Sequence, residues 1–298
     1  MYNIWRFMLK RKIYKANEGV VGIVVAVLLI GLIVTFLSII QMQYVPEWMK
    51  QKEAEHMDDV TNQFSDIKYA IDTQTLFKEK NILITSPVTL GSSELSFFVS
   101  IRAYGQLDII KNAFSITFID KSGNSKPFLN NGIIKYSSVN GYLENQNFIY
   151  ESGAVITSQN EGNFISIDPS FKIDRNKSAG VFNIYFKIVD VVAKGGKISE
   201  SGYDTTSIKT EFTSNLSPGN LSQVKFIIVK TSYKNSWYEF FRSSLNDADA
   251  DLKEGSDYTV SYDALGQVIV EFLNLNDLPL VNYENFVIEA QIGAGIVK

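Results

Sequence analysis

The sequence has no cysteine, a single histidine and only six prolines in 298 residues. Without cysteine there are no disulfides, thiolate zinc ligands or cysteine nucleophiles. With one histidine, a Ser-His-Asp triad or a histidine metal centre would have to be built around His56 alone, between Glu55 and Met57. That position suits a solvated or subunit-contacting histidine better. Acids are missing from residues 1–16, which carry Arg6, Lys10, Arg11, Lys12 and Lys15. Removing those five bases leaves 23 bases against 32 acids over residues 17–298, a net charge of −9. An acidic body with a pI near 5.2 has no electrostatic footprint for duplex nucleic acid, and none is expected as a partner.

The basic tip precedes one long apolar run. Val20 to Ile40 has no charge, and Thr35 and Ser38 are its only polar side chains. At ~1.5 Å per residue a helix of this length covers about 31 Å, the thickness of a bilayer's hydrocarbon core. The run is too long for a secretory signal and lacks a small-residue exit site, so it is expected to span the membrane. Bases before it and acids after it put the amino terminus in the cytoplasm and the carboxy-terminal part outside. Pro46 removes one backbone donor, which predicts a kink or short break there. Beyond it Met57, Val60, Phe64, Ile67 and Ile71 recur at helical spacing, with Lys52, Glu53, Glu55, Asp58, Asp59 and Asp66 on the other faces. The pattern divides the chain into a basic leader (1–16), an apolar helix (17–45), an amphipathic stem (46–80) and an exterior part (81–298).

The basic leader, the sequence Asn17-Glu18-Gly19-Val20-Val21-Gly22-Ile23-Val24-Val25 opening the apolar helix, and the stem beginning Tyr44-Val45-Pro46 together resemble archaeal type IV pilins and archaellin-like proteins with class III signal peptides. The resemblance covers about 75 residues, a quarter of the chain. It implies removal of the leader by a prepilin peptidase at the cytoplasmic face, after a basic residue followed by Gly or Ala. Lys15-Ala16 before Asn17 fits that pattern, and Gly19 before Val20 is the alternative. The resemblance further implies assembly with other pilin-like subunits through the apolar helix. Bacterial pilins carry a glutamate at the fifth mature position, whereas Glu18 would be second here. Small residues Gly22, Ala26 and Gly31 would let neighbouring helices approach closely.

After Asn81 the period becomes twofold. Leu95, Phe97, Val99 and Ile101 alternate with Ser96, Phe98, Ser100 and Arg102, and Phe114, Ile116 and Phe118 with Ser115, Thr117 and Ile119. Further strands are expected over 181–189, 224–230, 258–262, 268–272 and 286–291, with 258–262 and 268–272 forming one hairpin. Lys121-Ser122-Gly123-Asn124, Asn130-Asn131-Gly132 and Asn140-Gly141 read as turns. The fold class is therefore α+β: a long apolar helix and stem, then a mainly antiparallel β-sandwich, as one domain or as two sub-domains divided near 195–220. Ser236-Trp237-Tyr238-Glu239 reads as a capping box opening a helix, whose stripe of Trp237, Phe240, Phe241, Leu245, Ala248 and Leu252 should pack on a sheet.

Few residues invite chemistry. Asp247, Asp249 and Asp251 suggest hard-cation ligands but fail the EF-hand template, because Leu252 stands where its glycine belongs and Tyr258 where its glutamate belongs. Lys194-Gly195-Gly196-Lys197 lacks the length and hydroxyl of a phosphate loop and reads as a surface turn. Neither catalysis nor a cofactor is expected. Asn176, Asn215 and Asn220 head Asn-X-Ser sequons in turn-rich stretches and are candidate glycosylation sites. The sequence thus points to a pilin-like surface subunit. The alternative is a permanently anchored binding or sensory module.

Overall fold

Apolar residues without a polar face build the first helix, α1 (Asn17–Ile39), and a single stripe builds the next, α2 (Val45–Phe77). Between them Ile40–Tyr44 form a π turn, in which the Val45 N–H reaches back to the Ile40 carbonyl. The wider turn falls where the ring of Pro46 would otherwise press on the preceding turn of a regular helix, so the change of hydrogen-bond register takes the place of a break. The protein is seen in a computed structural model that describes residues 17–95, 102–176, 181–216, 218–247 and 252–293. It has two compact units, residues 1–48 and 49–298, and the boundary falls inside α2.

Among the described residues of the second unit fifteen strands follow α2: β1 (Leu83–Thr89), β2 (Tyr104–Asp120), β3 (Ser125–Val139), β4 (Asn147–Glu151), β5 (Ala154–Gln159), β6 (Gly162–Ile167), β7 (Phe171–Asn176), β8 (Val181–Ala193), β9 (Ser199–Gly202), β10 (Thr205–Asn215), β11 (Gly219–Leu221), β12 (Val224–Lys230), β13 (Tyr258–Tyr262), β14 (Val268–Phe272) and β15 (Leu280–Ile292). The helix α3 (Lys234–Asn246) lies between β12 and β13. One sheet runs β1-β10-β15-β8-β7 with β11 on β15; the other runs β13-β14-β12-β2-β3-β4-β5-β6 with β9 on β2. Both are mostly antiparallel and curl into half-barrels, and β8 with β15 is a long parallel pair. The expected α+β architecture is present.

Two cores result, each organised by a helix. Met57, Val60, Phe64, Ile67 and Ile71 of α2 are buried among Val88, Ile109, Ile134, Phe148, Val189, Ile208 and Phe286. Trp237, Phe240, Phe241 and Leu245 of α3 are buried among Phe114, Phe118, Ile149, Phe186, Ile227 and Val270. β8 serves both: Ile184, Phe186 and Ile188 face the α3 core, and Val189 and Val191 face the α2 core. The long β2 and β3 also serve both, which their pairing must accommodate. Their register shifts between Ile110 and Ile116, with Asn112 and Asn130 at positive φ. This corrects the reading of Asn130-Asn131-Gly132 as a turn. A bulge asks for the same left-handed residues, and here it re-aims the strand, so that Leu107 and Ile109 face one core and Phe114 and Ile116 the other. A side chain at Gly132 would strike the Val191 carbonyl, its Cβ only 2.0 Å away.

The stripe of the stem is part of the core of the unit that begins at Met49. Residues 49–298 form one compact unit. One more expectation changes. Ser236 is not a capping residue: α3 begins two residues earlier, and the Ser236 hydroxyl donates to Asn163 Oδ1 at 2.6 Å. The strand expected across Leu95–Ile101 falls largely outside the described residues, as do Ala248, Asp249 and Asp251.

Candidate membrane and binding surfaces

α1 meets the demands of a lipid environment residue by residue. From Val20 to Ile39 its large side chains are exposed on every side, between 47% for Ile39 and 71% for Leu32. Its two hydroxyls do not need water, since Thr35 Oγ1 donates to the Gly31 carbonyl and Ser38 Oγ to that of Val34, both at 2.8 Å. The helix is long and apolar enough to cross a membrane. A Cβ added at Gly22 or Gly31 would meet nothing within 4 Å. Gly22 and Ala26 lie on one side and Gly31 about 180° round the helix, so small residues open two opposite sides. Of the cleavage candidates, Asn17, Gly19 and Val20 lie in the first turn of α1, and Lys15 and Ala16 are outside the described residues.

α2 is held by buried polar contacts that sequence reasoning missed. Glu53, expected on a wet face, accepts the backbone N–H groups of Gly141, Tyr142 and Leu143 at 2.8, 2.9 and 2.7 Å. His56 is buried, not solvated. Its Nε2 lies 3.0 Å from the Tyr136 hydroxyl and 3.3 Å from the Leu90 carbonyl, and Tyr136 itself donates to Leu90 at 2.8 Å. Since that carbonyl only accepts, Nε2 must carry the proton. Burial lowers the His56 pKa below its ordinary 6.5, outweighing the Leu90 hydrogen bond. The signal was available: Met49, Glu53, His56 and Val60 continue the apolar stripe at spacings of four, three and four. Further along, Gln63 and Gln74 bond Thr89 and Thr210 on the sheet.

The second core hides another titratable group. Glu151 is fully buried at the end of β4, and its Oε1 accepts from Thr231 Oγ1 and Trp237 Nε1, both at 2.7 Å. Its Oε2 has no partner among the described residues, and burial pushes its pKa up to about 7 against those two hydrogen bonds. Trp237 is walled in by aromatic rings, including Phe114 and Phe241.

On the solvent side of the first sheet the register sets Lys172, Tyr185, Asn282 and Asn220 in one cross-strand row. Around it a depression of ≈ 340 Å³ is lined by Lys172, Tyr185, Lys187, Asn282 and Glu284 above the half-buried Phe171 and the buried Phe186 and Tyr283. Of the sequons, Asn220 is exposed on β11, Asn215 ends β10 with its Oδ1 buried, and Asn176 ends β7. Asp247 caps the carboxy end of α3. Among the described residues no three His, Asp or Glu side chains gather in a metal-binding group.

No protein family, curated protein or solved structure matches this chain. Function therefore has to be argued from these surfaces.

Proposed function

We propose that the chain is a pilin-like subunit of the cell surface. α1 anchors the precursor with the basic leader in the cytoplasm and the β-rich unit outside. A prepilin peptidase removes the leader, after Ala16 or alternatively Gly19, and α1 then packs against α1 of other copies in a filament or pilus-like complex. The observation that carries this reading is the division of apolar surface. The stripe of α2 is consumed by its own sheets, whereas α1 keeps its apolar side chains exposed on all sides. Its side chains are each worth about 1.5–3 kcal/mol when removed from water, so copies of α1 leaving the bilayer have strong reason to bury one another. Acid excess on the rest of the chain opposes contact between the β-rich units at long range. Glycans at Asn176, Asn215 or Asn220 would fit an extracellular location.

Intact mass of surface protein, with electron microscopy of sheared material, tests the proposal. A mature amino terminus at Asn17 or Val20 together with filaments supports it. An intact Met1 on surface protein overturns it, and the chain is then a permanently anchored binding module, which the depression on the first sheet would serve.

A further inference from the structure

We propose that the depression on the first sheet is a binding site for an acidic saccharide, held over the ring of Tyr185 between Lys172 and Lys187. The inference does not depend on filament formation, because it concerns the unit from Met49 onward in a processed or an unprocessed chain.

Three observations carry it. The first is charge. Residues 17–298 are net acidic, yet neither Lys172 nor Lys187 has a carboxylate partner among the described residues, while the carboxylate that shares the depression, Glu284, is neutralised by Lys78 at 2.8 Å. Among the lining residues Lys172 and Lys187 against Glu284 leave one positive charge, and the ion pair with Lys78 further offsets that carboxylate. Asp174, two residues beyond Lys172 on β7, does not line the depression. An anion is the complementary ligand. The second is the aromatic floor. Tyr185 is 43% exposed in the middle of a sheet, with Lys172 beside it on β7 and Asn282 beside it on β15. A flat ring flanked by polar side chains suits a sugar, whose CH-rich face covers the ring while its hydroxyls reach the Asn282 amide and the Glu284 carboxylate. The third is rigidity. Lys172, Tyr185 and Asn282 stand on hydrogen-bonded strands over the half-buried Phe171 and the buried Phe186 and Tyr283, so the groups are placed before the ligand arrives. The volume lies at the small end of the roughly 300–1,000 Å³ of ligand pockets, which limits the occupant to one or two sugar rings.

The test is calorimetric titration of the full chain in detergent with digalacturonic acid, with the neutral digalactoside and with inorganic phosphate, at low and high salt. Digalacturonate should bind, weaken at high salt, and bind at least about tenfold more tightly than either other probe. Tyr185→Ala, and Lys172→Gln combined with Lys187→Gln, should each reduce affinity at least about tenfold, whereas Tyr185→Phe should retain it. These residues are exposed or half-exposed, and unchanged Trp237 fluorescence will show that each variant is folded. Absence of digalacturonate binding, equal binding of the neutral sugar, equal binding of phosphate alone, or unchanged affinity in the folded variants would each overturn the proposal.

Discussion

α1 and α2 follow one another in a single helical stretch interrupted only by a π turn, yet they put apolar side chains to opposite uses. α1 is apolar on every side and buries almost nothing, whereas α2 is polar on most of its surface and buries Val60, Phe64, Ile67 and Ile71 completely. The difference teaches that the arrangement of apolar residues, more than their number, selects the partner. A single stripe is the shape of a sheet surface and can be satisfied within one chain. A helix without a polar side needs apolar surroundings on all sides, which lipid or copies of itself supply.

The harshest way to break the comparison is to remove α2 from its sheets. A chain beginning at Asn81 should fail to fold, because it exposes the surfaces that Met57, Val60, Phe64, Ile67 and Ile71 cover and strips the Glu53 carboxylate from the 141–143 turn. A chain beginning at Met49 should be soluble and folded. Circular dichroism and sedimentation of the two will decide, and a monomeric, cooperative Asn81 chain would show that α2 is an accessory to the sheets.

Single substitutions sharpen the contrast. Phe64→Ala should lower the stability of the Met49 chain by about 3–5 kcal/mol in urea titrations, since the ring is fully buried against Phe148. Val27→Asp in the full chain should leave that stability unchanged and instead add about 2.5–3.5 kcal/mol to membrane insertion, read as loss of protein from the membrane fraction. Between these lies Glu53→Ala, which deprives three backbone N–H groups of their acceptor and should destabilise by about 2–3 kcal/mol, with Glu53→Gln costing less because one carbonyl oxygen remains.

How much of this was legible in the sequence follows the same logic. α1 was readable as an unbroken apolar run, and the stripe of α2, the hairpin of β13 and β14, and β12 because each is a local period with one apolar side. Strands such as β4 and β5 escaped notice because both their faces are buried, one in each core, so Phe148, Ile149 and Tyr150 show no alternation. Asn130-Asn131-Gly132 was misread because a turn and a bulge ask for the same residues. Glu53 and His56 were assigned to water by their polarity, although their spacing from Met49 and Val60 put them in the stripe. The depression around Tyr185 depends on a parallel pairing between β8 and β15 that lie about a hundred residues apart, and nothing local announces it.

The smallest expected effect compares two buried ionisable groups, His56 on α2 and Glu151 beneath α3. Glu151 titrates near 7 in the folded chain and near 4.5 when unfolded. Between those values the native state holds a proton that the unfolded state has released, so its contribution to stability is full below pH 4.5 and is lost as pH rises to 7. His56 works the other way. Its folded pKa lies below 6.5, so as pH falls through 6.5 the unfolded chain gains a proton that the native state refuses, and stability is lost. The groups facing Glu151 are Thr231, Trp237 and Tyr233, and those facing His56 are Leu90, Tyr136, Glu53 and Asp59, whose charges favour the protonated ring without reversing the shift. Each group alone changes stability by no more than about 1.4 kcal/mol per pH unit, and below 6.5 the two slopes oppose. Urea titrations of the Met49 chain at stepped pH should therefore show a shallow profile below 6.5 and a decline from there to 7. Glu151→Gln should convert it to stability that rises with pH up to 6.5, and His56→Gln to stability that falls throughout 4.5–7. If Glu151→Gln left the decline above 6.5 in place, Glu151 would be ionised in the native core, and its Oε2 would need a partner beyond the residues described.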